Sequence, residues 1–170
     1  RFYHHHHTLS GEINVAAFPP SLESIVLHKN AFYGEIQLAG LPKKVKEVDF
    51  SDNKLSGTLD LENLPKSLQS LMLFRNEFTG PVSLTHLPST LEYLELAGNQ
   101  LSGTLDLTKL PAGMVGLWLQ ENSFSGEADF SRLPDSLEAL NLSNMDISGE
   151  ITLPEDGDDY IFTNTNIKVI

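Results

Sequence analysis

The chain has 170 residues, 28 of them leucine and none cysteine, with 40% hydrophobic and 20% charged residues. That balance is globular, no apolar run approaches the ~20 residues needed to span a membrane, and without cysteine there is neither a disulfide framework nor a thiolate metal site. The formal charge of −12 is uneven, because residues 1–54 carry six basic and six acidic residues whereas 55–170 carry five and seventeen, a distribution that repels duplex nucleic acid and suits a basic protein.

In chain order, Arg1–Ser10 lacks the apolar core of a secretory signal, and the first residue is not methionine, which leaves room for sequence upstream. Within it lies His4–His7. In the register set by the residues that follow, His5 and His28 share a column on adjacent strands, where imidazoles could share a metal. The favoured reading is structural, with His4 in a core column and His7 at a corner, so no metal or cofactor is assigned. A weak metal-binding module remains an alternative.

From residue 22 a 23-residue period takes over. Asn30, Asn53, Asn76, Asn99 and Asn122 mark it, and two residues after each come Phe32, Leu55, Phe78, Leu101 and Phe124. Gly34, Gly57, Gly80, Gly103 and Gly126 follow, and later in each turn a Leu-Pro pair, from Leu41-Pro42 to Leu133-Pro134. Such a period signals a solenoid. Before each Asn runs L-x-x-L-x-L, as in Leu68, Leu71 and Leu73, and its period-two alternation predicts a short strand. Gly57–Leu61 and Gly103–Leu107 also alternate and predict a second short strand, after which Leu-Pro-x-x-Leu turns the chain back.

The register decays at both ends. His7, Leu9 and Gly11 stand one period before Asn30, so residues 1–21 read as a degenerate first turn. Met145, Ile147 and Gly149 stand one period after Asn122. The last turn, 148–170, reads as a cap shortened to a 20-residue spacing, with Tyr160, Phe162 and Ile167 replacing Leu140, Leu142 and Ile147. Terminal repeats degenerate because they must meet water. Residues 1–170 thus read as a single domain of about seven to eight turns.

The pattern L-x-x-L-x-L-x-x-N-x-L resembles the leucine-rich repeat over nearly the whole chain. The version N-x-L/F-S/T-G-x-L-x-L-x-x-L-P-x-x-L resembles most the repeats of kinetoplastid protists. It is also similar to plant-type repeats with their second short strand, but differs in where proline falls. The resemblance implies a mostly β, curved, right-handed solenoid of the α/β repeat type, with a parallel concave sheet and few helices.

No P-loop, G-x-G-x-x-G, G-x-S-x-G or H-E-x-x-H is present, and Ser56-Gly57 and its equivalents recur because the turn recurs. The chain therefore reads as a non-enzyme without a cofactor. Glu155, Asp156, Asp158 and Asp159 lack calcium-loop spacing and read as a solvated loop. Asn141-Leu142-Ser143 is a glycosylation sequon within a strand, and Lys43, Lys44 and Lys46 form a small basic patch.

The strongest functional signal lies in strand positions that alternate with the core. Met72, Phe74, Tyr93 and the single tryptophan, Trp118, should share the concave wall, with Ala97, Gly98 and Gly116 leaving room between them. Arg75, Glu95, Gln120 and Glu121 would rim it. Aromatics with methionine and arginine suit a protein-binding surface. The expectation is a protein-interaction module, a structural or accessory subunit of a larger intracellular assembly, with a surface or secreted recognition domain as the alternative. The intracellular preference rests on the missing cysteines.

Overall fold

The computed structural model describes residues 1–3 and 9–170; the His4–His7 run and its metal alternative lie outside the described residues. Each turn supplies two strands. The first holds β1 (Phe2–Tyr3) and β2 (Ser10–Glu12), the second β3 (Ser24–Val26) and β4 (Ala31–Gly34), the third β5 (Glu47–Asp49) and β6 (Lys54–Gly57). Then come β7 (Ser70–Met72) and β8 (Glu77–Gly80), β9 (Tyr93–Glu95) and β10 (Gln100–Gly103), and β11 (Gly116–Trp118) and β12 (Ser123–Glu127). The last two turns hold β13 (Ala139–Asn141) and β14 (Asp146–Ile151), then β15 (Asp159–Ile161) and β16 (Asn166–Val169). Among the described residues, helix is confined to two 3-10 turns, Val15–Ala17 and Leu38–Gly40.

The odd-numbered strands form one eight-stranded parallel sheet and the even-numbered strands another. The chain is a mostly β, curved, leucine-rich-repeat-like solenoid. In the first sheet, partners are one repeat apart, as in Val48↔Leu71 and Leu117↔Leu140. At the end the step falls to 20 residues, with Leu140 beside Tyr160. In the second sheet the pairs are 21 residues apart, as in Gly34↔Leu55 and Ser102↔Ser123, until the last, Gly149↔Ile167, where the step falls to 18. Equivalent residues therefore lie side by side on the first sheet and two residues out of step on the second.

The core sits between the sheets. Ile25, Val48, Leu71, Leu94, Leu117 and Leu140 form one fully buried column, and Phe50, Leu73, Leu96, Leu119 and Leu142 continue the next after Leu27. Burying each such side chain contributes ~1.5–3 kcal/mol, but a single turn has only one of each, so stacking creates the core.

The asparagines close the corner after each first-sheet strand. Asn99 Nδ2 donates to the Leu96 carbonyl of its own turn (3.0 Å) and the Leu73 carbonyl one turn back (3.1 Å), while Oδ1 accepts the Phe78 N–H (3.1 Å). Asn76 repeats the arrangement with Leu73, Phe50 and Leu55. Each amide thus satisfies backbone groups that the turning chain removes from a ladder. The residue just before the corner is left-handed, as at Arg75 (φ 53°), Gly98 (φ 67°) and Glu121 (φ 59°). At the seventh corner the amide gives way to buried Met145. At the eighth, Thr165 Oγ1 donates to the Phe162 carbonyl at 2.6 Å, three residues back, where an asparagine would.

The second strand departs from the alternation reading. Strands β6 and β10 occupy Lys54–Gly57 and Gln100–Gly103 and end at the glycines where Gly57–Leu61 and Gly103–Leu107 were expected to begin. Gly57 and Gly103 have φ of 85° and 90°, a left-handed bend that carries the chain out of the sheet. Leu59, Leu61, Leu105 and Leu107 still reach the core, from loop rather than strand.

Candidate functional site on the concave sheet

Strand residues that alternate with the core columns point out of the first sheet. Ser24, Glu47, Ser70, Tyr93, Gly116 and Ala139 lie in one row, and Val26, Asp49, Met72, Glu95, Trp118 and Asn141 in another. The following position of each turn holds His28, Ser51, Phe74, Ala97, Gln120 and Ser143. Met72, Phe74 and Trp118 are half-buried and Tyr93 is exposed.

Of the apolar four, the fold stacks two. The Tyr93 and Trp118 rings lie 6.4 Å apart at 14°. This depends on Gly116: a Cβ there would overlap Trp118 Cη2 and Cζ3. The indole lies flat over the glycine and leans on the tyrosine of the neighbouring strand. The room expected at Gly116 is thus taken up by Trp118 itself. Gly98 serves the left-handed corner, and the buried Ala97 contributes no side chain beyond its methyl group. Phe74 instead carries the Arg75 guanidinium 5.9 Å from its ring centre, and Arg75 also reaches Asp52 at 3.6 Å. Glu121 is exposed at its corner.

Gly116→Ala tests this geometry. Gly116 is outside the left-handed region, so alanine is conformationally acceptable and only the indole must move. The expected outcome is a red-shifted Trp118 emission and loss of the tyrosine–tryptophan stacking signal in near-ultraviolet circular dichroism, with stability changed by less than ~1 kcal/mol. An unchanged spectrum would refute the socket.

Polar groups converge on the same wall. Asp49 is buried; it accepts hydrogen bonds from the Ser51 N–H (3.0 Å) and hydroxyl, and its other oxygen lies 3.0 Å from His28 Nδ1. This trio contains the residue types of a hydrolytic triad in the wrong order. The hydroxyl bonds to the carboxylate rather than to the imidazole that would have to deprotonate it. Asn141 repeats the motif, its Oδ1 accepting from the Ser143 N–H (3.0 Å) and hydroxyl (2.7 Å), so the sequon asparagine is half-buried and engaged on a strand. The Asp49 trio escaped the sequence reading; the D-x-S and N-x-S at equivalent repeat positions were its only signal.

Glu95 sits between Met72 and Trp118 in its row. Burial raises its pKa above the ordinary glutamate value, the Asp49 charge raises it further, and Arg75 opposes both. Its carboxylate has no hydrogen bond or ion pair among the described residues. The folded state therefore binds this proton more tightly than the unfolded chain. Stability from Glu95 is fully present below the unfolded pKa and is lost as pH rises through the folded value. Glu95→Gln should remove that decline and leave the protein more stable than wild type at pH 7, measured by urea unfolding at pH 4 and pH 7. An unchanged pH dependence would contradict the assignment. Nearby, Gln120 Oε1 is buried without a hydrogen-bond partner.

Towards the amino-terminal side, an open depression of about 650 Å³ is lined by Ser24, Lys46, Glu47, Ser70, Met72 and Tyr93, among others. Lys46 reaches Glu23 at 3.7 Å across exposed surface, which accounts for part of the basic patch. The acidic run is exposed except for the half-buried Gly157, with Glu155 to Asp158 in a turn and Asp159 opening β15. Among the described residues, no three His, Cys, Asp or Glu are grouped to hold a metal. The recurrent Ser-Gly pairs belong to second-sheet strands, closing β6 and β10 and lying within β12 and β14, so they are part of the repeat.

No protein-family model matches the sequence, and no curated protein matches it. Solved structures do match in fold. A plant peptide hormone receptor, RGFR1 in complex with RGF2, is 25% identical with a TM-score of 0.69, the match covering 93% of this chain and 31% of the receptor chain. A TDR receptor is 23% identical with a TM-score of 0.66, covering 93% and 29%. A plant ice-binding protein is 23% identical with a TM-score of 0.62, covering 95% and 62%. The chain thus spans about a third of the length of the two receptors.

These matches correct two expectations. The repeat is like that of plant receptors, not of the kinetoplastid type; its proline placement is a loop variation that leaves the second sheet intact. The intracellular placement is also overturned, because these fold matches are two receptors, one of them a peptide hormone receptor, and an ice-binding protein, rather than subunits of intracellular assemblies. Absent cysteine is no guide to compartment when stacked ladders supply the stability. In architecture the chain is similar to the leucine-rich-repeat domains of plant receptors.

Proposed function

We propose that the chain is a recognition module that binds another protein or a peptide through its concave sheet, at the cell surface or outside the cell. The observation that carries this is the Tyr93–Trp118 stack on an open sheet face, beside Met72 and Phe74. Large aromatics held rigidly supply contact area at low ordering cost. The fold match to a receptor solved in complex with RGF2 supports the same reading. Residues 1–170 act here as one repeat domain, with 1–21 and 148–170 as its end turns. Arg75, Glu95, Gln120 and Glu121 form the polar rim, and the acid excess of residues 55–170 favours a basic partner whose binding weakens with salt.

The test is affinity capture from the surface and extracellular fractions of native cells, comparing wild type with the Phe74→Glu, Trp118→Glu double variant. Capture of a specific partner by wild type and its loss in a folded variant is the expected result. Equal capture by both would move the interface off the concave sheet.

A further inference from the structure

The concave wall has an excess of hydrogen-bond acceptors and a shortage of donors around its aromatic stack. Glu95 lies beside Trp118 across one strand spacing, half-buried, with no hydrogen bond or ion pair to its carboxylate among the described residues. Gln120, two residues beyond Trp118, leaves Oε1 buried and unpaired. An unpaired buried acceptor is unfavourable, and a side chain relieves that by turning towards a donor. The cation within reach is already engaged: Arg75 is shared between Asp52 and the Phe74 ring. Asp49, in the same row as Glu95, takes its donors from Ser51 and His28.

A guest that completes this wall must be cationic, rich in N–H donors and flat enough to lie on an indole. An ammonium meets the first demand only in part, as a compact, strongly hydrated charge. A guanidinium meets all three, since it stacks on aromatic faces and donates in a fork to a carboxylate. The geometry points to an arginine side chain of the partner, stacked on Trp118 and paired with Glu95, as the anchor of the docked segment. This rests on the concave-sheet reading above and names the partner's chemistry: a protein or peptide segment that presents an exposed arginine.

The experiment follows the Trp118 indole N–H resonance and emission while the folded protein is titrated with the blocked pentapeptide Gly-Gly-Arg-Gly-Gly. The same peptide with citrulline, the same peptide with lysine, and calcium chloride are titrated in parallel. The expected result is saturable binding of the arginine peptide, weakened about tenfold or more by citrulline, reduced by lysine, and abolished in Glu95→Gln, whose fold is checked by circular dichroism. Equal response to arginine and citrulline, no response to the arginine peptide, or full binding by Glu95→Gln would overturn the anchor. So would a response to calcium alone, which would assign the carboxylates to a cation instead. Partner capture separates the two readings. Loss in Trp118→Glu with retention in Glu95→Gln ends the arginine anchor and leaves concave docking standing; retention in both ends concave docking itself.

Discussion

Asn99→Leu is expected to lower the unfolding free energy by about 3–4 kcal/mol, read as a shift of the urea midpoint at constant slope. Leucine keeps the branched shape but leaves the buried N–H of Phe78 without its acceptor and removes one of the two amide donors on each of the Leu73 and Leu96 carbonyls, which keep only Asn76 and Asn122 respectively. Asn99→Asp should not rescue the loss. Its carboxylate can still accept the Phe78 N–H, but it faces two carbonyl oxygens with no proton to donate. Replacing exposed Asn63, which bonds the Asp60 carboxylate at 2.8 Å, should cost less than ~0.5 kcal/mol. If Asn99→Leu proved as mild as that, the corner amides would not be structural ties.

Phe78→Ala should cost about 3–5 kcal/mol. The ring is fully buried, and at the equivalent positions of the neighbouring turns stand Leu55 and Leu101, also fully buried. Phenylalanine and leucine therefore alternate along the column through Phe32, Leu55, Phe78, Leu101 and Phe124. The ring fills the core of its own turn; removing it opens a cavity in the middle of the solenoid, among buried side chains of the same core. The converse change, Leu101→Phe, would place three rings in succession and should be destabilising by ~1–3 kcal/mol through overpacking. Thermal unfolding of both variants checks the pair, and a neutral Leu101→Phe would show the column to be loosely packed.

The lateral register of these columns was legible beforehand because it is a local, repeated property. A strand alternates its side chains every residue, so L-x-x-L-x-L assigned Leu71 and Leu73 to the core and Met72 to the opposite face without reference to any other turn. The second sheet was read less well. Gly57–Leu61 alternates through Thr58, Leu59, Asp60 and Leu61 as a strand should, yet the backbone leaves the sheet at Gly57. Alternation reports which side chains are buried, not whether the backbone is hydrogen-bonded, and a buried loop leucine produces the same pattern.

The candidate site divides along the same line. That Met72, Phe74, Tyr93 and Trp118 belong to the outward rows follows from spacing. That Trp118 lies across Gly116 onto Tyr93, while Phe74 takes Arg75, depends on rotamers and on neighbours 23 and more residues away in sequence. The engagement of Asp49 with His28, one turn away, depends on adjacent turns in the same way, whereas its bonds with Ser51 are local.

By itself, then, the sequence determined the solenoid, its period, the buried columns, the asparagine corners and the outward face, because each follows from short-range backbone geometry repeated along the chain. Only the tertiary structure decided where the second strands end, the 21-residue step of their sheet, which aromatics stack, and which carboxylate is left desolvated without a partner. Those are set by contacts between turns, where packing space, burial and the direction of each hydrogen bond are fixed by residues that no local pattern brings together.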